Sequence, residues 1–215
     1  MKQQSPIKLS KASKMPCKSF SLQAGMHCPG MINSNGNVKD VCRGCYALKG
    51  MYRFPVVKAS RQHNYENLNH PDWVNIMVDL IGNDKYFRWF DSGDFVSVQM
   101  VENVFKVIAR TPNTKHWIPT KLDSNINSKY KEINQAINCL LVDLPNCMVR
   151  FSSPSNNGEY EQEHGSTVIP EDLVKLFKEK SSDISICPSK ANAGKCGDCR
   201  KCWNKSIPVI AYIRH

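Results

Sequence analysis

The stretch 86–120, YFRWFDSGDFVSVQMVENVFKVIARTPNTKHWIPT, contains the pattern that decides the fold. It begins with an apolar run over 86–90, which predicts a buried strand, followed by the turn Asp91–Asp94. Ser97 then precedes apolar residues at helical spacing, so we expect it to cap a helix. The run 115–120 is apolar again and predicts a second strand. The stretch therefore predicts one strand–helix–strand unit.

The same alternation continues on both sides of this unit. Further helices are predicted from the periodic patterns before it and after it, and further strands from three more apolar runs, at 147–152, 183–187 and 207–213. Strands that alternate with helices are typical of an α/β fold with a largely parallel sheet. We predict about five strands, which is too few for an eight-stranded barrel. A partial barrel and an open sheet are the two architectures compatible with this number. The polar stretch 153–167 is interpreted as a loop.

The ends of the chain differ from this core. Residues 1–52 form a predicted basic, irregular, cysteine-rich segment that binds a cluster, and residues 187–215 a second cysteine cluster with a closing strand. The α/β core is assigned to residues 53–186, and the whole is expected to be one compact domain. Because the terminal segments have little periodic apolar content, a metal site is the feature expected to order them.

The charge of the chain is concentrated at its start. The net charge is +10, and residues 1–62 hold eleven Lys and Arg but only one acid, Asp40, whereas the rest holds eighteen of each sign. Such a local positive field favours a polyanion, so DNA or RNA is the predicted partner, with an anionic cofactor as an alternative. A solvated basic tail and the compensation of anionic thiolates are two further explanations.

Ten cysteines are many for a protein with no visible export signal. No apolar run approaches the ~18 residues of a membrane span, and the first residues lack the apolar stretch of a signal peptide. We therefore predict a cytoplasmic protein with no membrane partner, in which metal binding explains the cysteines better than disulfides do. Cys139 and Cys147 lie among apolar residues and are interpreted as ordinary buried thiols.

The C-terminal cysteines have a spacing typical of metal ligands. They are Cys187, which precedes a proline, and the run KCGDCRKCW, with Cys196, Cys199 and Cys202. Tetrahedral zinc usually takes two separated Cys-x2-Cys pairs, whereas a contiguous C-x2-C-x2-C is closer to the ferredoxin pattern. An iron–sulfur cluster is therefore predicted here. Zinc, or cysteines without a metal, are the alternatives.

The N-terminal set is Cys17, Cys28, Cys42 and Cys45, with wider and less specific spacing. Four ligands would close the site, whereas three would leave an iron open for a small ligand. Cys17 is the member that decides between the two. With the C-terminal set, this predicts two clusters, of the 4Fe-4S type.

The turn Asp91, Ser92, Gly93 and Asp94 is the predicted cofactor-binding element. It follows a strand, and α/β sheets bind ligands at the carboxyl ends of their strands. Two carboxylates and a hydroxyl around a glycine suit a ribose, an amine or a metal. A turn that only caps the following helix is the alternative. No catalytic residue is assigned, since no hydrolase or phosphate-loop pattern is present.

Several motifs resemble the gene product 88 family of phage and plasmid proteins. They are SLQAGMHCPG over 21–30, CRGCYALKGMY over 42–52, WFDSGDF over 89–95 and the C-terminal KCGDCRKCW. The resemblance implies a phage or mobile-element protein in a bacterial host, and adds no defined reaction.

The order of elements is also similar to radical S-adenosylmethionine enzymes. In those proteins a three-cysteine cluster loop precedes a β/α partial barrel, and a Gly-rich turn after a strand contacts the methionine amine. Cys28, Cys42 and Cys45 precede the β/α run here, and Asp91–Asp94 follows an early strand. The likeness implies S-adenosylmethionine as a candidate cofactor, although the Cys-x3-Cys-x2-Cys spacing of that family is absent.

Two classes of function remain from the sequence. The first is an iron–sulfur enzyme, of radical or redox type, that acts on a nucleic acid or nucleotide. The second is a zinc- or cluster-stabilised module that binds nucleic acid without catalysis. Regulation of a host factor through surface contacts is a third hypothesis. The enzyme requires an open iron and a cofactor pocket, and the module requires neither.

Overall fold

The structure, a computed structural model, describes residues 5–12, 14–161, 164–180 and 183–214. The predicted terminal segments thus include residues that lie outside the described part, namely 1–4, 13 and 215. The strands are β1 (Lys18–Phe20), β2 (Tyr86–Trp89), β3 (Lys115–Thr120), β4 (Cys147–Ser152), β5 (His164–Ile169), β6 (Ile184–Ile186) and β7 (Val209–Ile213). The α-helices are α1 (Asp40–Arg43), α2 (Pro55–Glu66), α3 (Trp73–Ile81), α4 (Val98–Arg110), α5 (Lys131–Leu140) and α6 (Val174–Lys180).

Within the described ranges, seven strands form one open sheet in the order β1-β2-β3-β4-β5-β7-β6. Every neighbouring pair is parallel. The predicted α/β class and parallel sheet are confirmed, and of the two architectures the open sheet is the one found. The predicted number of about five strands is roughly right, and the two further strands are β1 and β5. The start of β5 falls within the stretch that was interpreted as a loop.

The connections place the helices on one side of the sheet. Strands β1 to β5 are neighbours in chain order, and right-handed crossovers between such neighbours keep the connecting helices on the same side. Helix α4 packs between α3 and α5 there, and Ser97 caps it, its Oγ accepting from the Met100 amide at 3.2 Å. We call the sheet surface under these helices the helical face. Its core includes the strand residues Phe87, Trp89, Ile118 and Val149.

Residues at the intervening strand positions project to the opposite surface, because side chains alternate along a strand. This surface, which we call the cysteine face, includes Arg88, Trp117 and Arg150. Trp203, from the segment between β6 and β7, packs there with Trp117 and Cys17, and its Nε1 donates to the Phe87 carbonyl at 2.9 Å. The C-terminal cysteine segment thus covers the side of the sheet that the helices leave free.

The length and the apolar character of the helices bear on membrane crossing. In the part of the chain that the structure describes, none of them combines the length and the apolar character that a membrane crossing requires.

Candidate functional site

A cavity of about 120 Å³ lies at the carboxyl ends of β2, β3 and β4. In the described chain, three cysteines line it, Cys28, Cys42 and Cys45, together with the turn Asp91–Asp94 and Lys121. The carboxyl ends of parallel strands are where α/β sheets bind ligands. The fold therefore brings three members of the first cysteine set and the predicted cofactor-binding turn to the same place.

The loop that carries Cys28 is pressed onto the end of β3. A Cβ atom on Gly30 would lie 2.5 Å from the backbone carbon of Lys121, so only glycine allows this approach. The adjacent His27 carbonyl accepts a hydrogen bond from the Asp94 amide at 2.8 Å. Backbone contacts with both neighbouring strand ends thus fix the position of Cys28.

A buried ion pair holds the segment of Cys42 and Cys45. The Lys39 ammonium lies 2.8 Å from the Asp123 carboxylate, and both side chains are fully buried. The same ammonium donates to the Lys121 carbonyl at 2.7 Å. A buried pair adds little net stability over an apolar one, but it fixes one arrangement of the groups it joins. Here it fixes α1, with Cys42, against the end of β3.

Burial and the charges around these thiols lower their acidity. Burial raises the pKa of Cys28 to about 12, and the negative charges of Asp94, Cys42 and Cys45 contribute to the increase. Burial also raises the pKa of Cys42, which the positive charge of Lys121 opposes. Such thiols stay protonated in the absence of a metal, because a bound cation is what favours the thiolate.

Over the described residues, no group of three or more His, Cys, Asp or Glu side chains is close enough to hold a single metal ion. All ten cysteines belong to that part of the chain and are free thiols. Cys147 is buried, as predicted, whereas Cys139 is exposed, so its prediction as a buried thiol was wrong. Cys139 lies on α5, on the side that faces away from the core.

Asp91 binds side chains from two other segments. Its carboxylate accepts from the Tyr52 hydroxyl at 2.8 Å and from the Arg88 guanidinium at 3.0 Å. Arg61 lies 3.8 Å from the same carboxylate. One carboxylate thus serves two guanidinium groups, and two members of this cluster, Arg88 and Asp91, line the cavity.

The other residues of the turn contact mainly backbone groups of neighbouring segments. The Ser92 hydroxyl donates to the Leu22 carbonyl at 2.6 Å. Gly93 has a φ of +79°, and a Cβ there would lie 2.6 Å from that of Leu22. Asp94 accepts from the Thr120 hydroxyl and the Lys121 amide, both at 2.8 Å. The turn does not cap α4, since Ser97 does so, and cofactor binding by its side chains stays a prediction.

The second group of thiols lies on the segment between β6 and β7. Burial raises the pKa of Cys196, and the charges of Cys187 and Cys199 raise it further. Burial likewise raises the pKa of Cys202 to about 11, with a contribution from Cys187. The four C-terminal cysteines thus lie within electrostatic range of one another, at half-buried positions.

Arg150 anchors this segment to the sheet. It is fully buried on β4, and its guanidinium donates to six carbonyl oxygens at 2.9–3.2 Å, five of them within 201–208. Sequence analysis missed this residue. The signal was present, because a lone arginine within the apolar strand CMVRFS must find buried acceptors.

Cys17 lies with the C-terminal group. It packs against Trp117 and Trp203. Burial raises its pKa to about 12, and the negative charge of Cys196 adds to this increase. The neighbouring Met15 Sδ is 3.6 Å from the Cys196 Sγ. Three cysteines of the N-terminal set thus belong to the described lining of the cavity. The fourth predicted member, Cys17, lies beside the C-terminal group.

These features define a class: a parallel α/β protein with one group of thiols at its strand ends and a second on the sheet face opposite its helices. The chain belongs to the gene product 88 family, a phage-type family whose model matches residues 1–205. The resemblance seen in the cysteine motifs is thereby confirmed. No curated protein and no solved structure matches the chain. The likeness to radical S-adenosylmethionine enzymes receives no support from these comparisons.

Proposed function

We propose that the chain binds two iron–sulfur clusters, and that the centre of Cys28, Cys42 and Cys45 keeps one iron open to a small ligand. The observation that carries this proposal is the cavity at the strand ends, whose described lining contains three cysteines. Three thiolates leave one position of a four-iron cluster without a protein ligand. When bound, such a cluster supplies one-electron chemistry.

The donor set suits this group. Thiolates are the ligands of iron–sulfur clusters, and a cluster distributes them over several irons, whereas a zinc ion draws each of its ligands to within about 2.3 Å. A cavity bordered by separate thiols therefore suits a cluster. The positive charges of Arg88 and Lys121, which also line the cavity, would offset part of the charge of the thiolates.

Metal analysis of the anaerobically purified or reconstituted chain tests the proposal. The expected content is about eight irons and eight sulfides per chain, with a broad visible absorbance. Stoichiometric zinc without iron, or no metal after reconstitution, would overturn it. Disulfides between the two groups of cysteines would have the same consequence.

Single substitutions assign the ligands. Cys28→Ala is expected to remove about half of the iron, because it opens one of two clusters. Cys17→Ala should leave the cluster of Cys28 intact, and Cys139→Ala, at an exposed thiol on α5, is the matched control that should retain all iron. Loss of the Cys28 cluster in Cys17→Ala would contradict the open site.

The open position defines the proposed activity, a redox or radical reaction on a nucleic acid or nucleotide. S-adenosylmethionine is the first small ligand to test. In Cys199→Ala, which isolates the cavity centre, its addition should change the electron paramagnetic resonance spectrum of the reduced cluster. A spectrum that responds to neither S-adenosylmethionine nor nucleotides would remove the support for an enzyme.

The second candidate, a nucleic-acid-binding module, is favoured by a separate observation. Residues 41–65 contain no Asp or Glu, and Arg43, Lys49, Arg53 and Lys58 are exposed there, close in sequence to exposed Tyr46 and Phe54. Cations with aromatic side chains are typical of surfaces that bind single strands. Other basic residues of this region serve the fold, since Lys39 and Arg61 are buried in ion pairs.

Salt dependence tests the second candidate. Phosphate contacts predict that the affinity for a single-stranded oligonucleotide falls steeply with salt, and that Lys49→Gln with Arg53→Gln reduces the slope by about two. Lys175→Gln with Lys178→Gln, on α6, is a control of equal charge. If the variant with Lys49→Gln and Arg53→Gln binds as the wild type does, the surface of residues 41–65 is not the binding site.

A further inference from the structure

Arg88 lies where the two groups of thiols meet. On one side its guanidinium lines the cavity of Cys28, Cys42 and Cys45 and donates to Asp91 at 3.0 Å. On the other side the guanidinium stacks on the ring of Trp117, which packs with Cys17 and Cys202. One cation thus faces both candidate centres.

The sheet explains this position. Arg88 pairs with Ser19 on β1 and with Trp117 on β3, and Cys17 lies two residues before Ser19, on the same face because side chains alternate. The guanidinium carbon is 4.6 Å from the centre of the Trp117 ring. Trp117 in turn packs edge-on against Trp203, with 5.3 Å between the ring centres. A continuous row of side chains therefore joins the cavity to the C-terminal group.

The charge of Arg88 is only partly compensated. Its carboxylate partner, Asp91, is shared with Arg61 and also accepts from Tyr52. A guanidinium that lies mostly out of water, beside a carboxylate that serves a second cation, leaves a positive field at this junction. Such a field favours anionic sulfur nearby.

Two N–H groups at this junction have no acceptor among the described residues. They are Arg88 Nε and Trp117 Nε1, both of which are buried, and the Trp117 residue is 6% exposed. A buried donor that lacks an acceptor destabilises the fold, so an unsatisfied donor in a folded protein needs an explanation. The Arg88 and Trp117 donors have thiols on both sides, so they point to an anionic acceptor that comes with the metal centres.

We propose that Arg88 and Trp117 are positioning residues shared by both centres, whose unused N–H groups and positive charge stabilise anionic sulfur at the junction. The inference rests on the proposed clusters and adds a property to them: each centre is electrostatically coupled to the other through Arg88. A positive neighbour favours the reduced state of a cluster, since reduction adds negative charge.

Redox titration of the reconstituted chain tests the charge. Arg88→Met should lower the midpoint potentials of both clusters, whereas Arg88→Lys should keep them closer to the wild type. Arg110→Met removes an exposed cation of α4, on the helical side, and should leave both potentials unchanged. A shift in one cluster alone, or in neither, would overturn the coupling.

The indole donor is tested without changing the charge, which covers the case in which Arg88→Met does not fold. The Trp117 indole N–H resonance should move on cluster loading, and Trp117→Phe should lower at least the potential of the C-terminal cluster. Trp73 also has a buried indole N–H with no acceptor in the described chain, but it lies on the helical face. Trp73→Phe is therefore the matched control.

The outcomes separate the two proposals. If the wild type binds no cluster, the proposed function fails. If both clusters form but neither the potentials nor the Trp117 resonance respond as expected, the proposed function stands and the coupling through Arg88 is wrong.

Discussion

The two faces of the sheet are ordered by different forces. On the helical face, Met77, Val104 and Ile137 pack against strand residues such as Phe87 and Ile118, all buried and apolar. On the cysteine face, Arg150 donates to carbonyls and Arg88 to a carboxylate, and tryptophans pack with Cys17 and Cys202. The first face is held mainly by apolar area of suitable shape, whereas the second depends mainly on individual hydrogen bonds.

This difference indicates which side of the sheet carries the reactive groups. An apolar core tolerates changes of shape that conserve volume, but a hydrogen-bonded network fails when one member is removed. The groups that could hold a metal or a substrate lie on the network side. The helical face supplies a rigid support for them, and four substitutions measure how far the two faces differ.

Removal of the Arg150 guanidinium should have the largest effect. Arg150→Met leaves six carbonyl oxygens without their donor, and we expect a loss of about 5 kcal/mol in the free energy of unfolding, together with release of the C-terminal cysteines. Urea denaturation measures it. Arg53→Met, at an exposed position, should change stability by less than about 0.5 kcal/mol. A mild effect of Arg150→Met would mean that the cysteine face is not ordered by this residue.

The buried pair at the end of β3 should come next. Lys39→Met leaves the Asp123 carboxylate without the Lys39 ammonium, at an expected cost of about 3–5 kcal/mol. The double variant with Asp123→Leu should recover most of this loss, because an apolar pair can replace a buried ion pair. Denaturation of the single and double variants gives the coupling energy between the two residues in a double-mutant cycle. Without recovery, the pair would be needed for more than its charge balance.

Gly93 offers a test of the turn with a matched control. Gly93→Ala places a Cβ into Leu22 at a positive φ, so we expect a loss of about 2–3 kcal/mol. At Gly44, which lies between Cys42 and Cys45, a Cβ would meet no atom within 4 Å, and Gly44→Ala should be nearly neutral. Equal effects in the two variants would show that the turn is not held by close packing.

His116 gives the smallest effect and tests the helical face by pH. Burial lowers its pKa to about 3, and its ring accepts from Trp89 Nε1 and contacts the Thr111 hydroxyl. The unfolded chain binds a proton near pH 6.5 and the folded chain does not, so stability falls as the pH drops, by about 2 kcal/mol from pH 7 to pH 5. His116→Gln should lack this part of the slope. If the slopes match, His116 does not titrate between the two states.

Much of the helical face was predictable, and the cysteine face was not. The strand and helix patterns of 86–120 are local, because Ser97 caps its own helix and apolar spacing determines which side is buried. Strand β1 is only three residues long and is defined by its pairing with β2, whose paired residues lie 69 positions further along the chain. Strand β5, with the polar start HGST, is recognisable only once β4 and β7 lie on its two sides.

The candidate site follows the same division. The cysteines and the turn were found from spacing, since both are local motifs. The partner of Cys17 could not be found in this way, because proximity in sequence suggested Cys28 whereas the strand edge brings Cys17 to Cys196. Asp123 was visible as a polar residue after a strand, but its ion pair with Lys39 joins positions 84 residues apart.

The position of β7 has a consequence for biosynthesis. Strand β7 lies between β5 and β6 in the sheet, so β6, which leads directly into Cys187, has no neighbour to pair with until residues 209–213 have left the ribosome. The cavity of Cys28 needs only β1 to β4 and the loops that follow them. A nascent chain can therefore complete the cavity of Cys28 before the pairing of β6 with β7 fixes the start of the C-terminal cysteine segment.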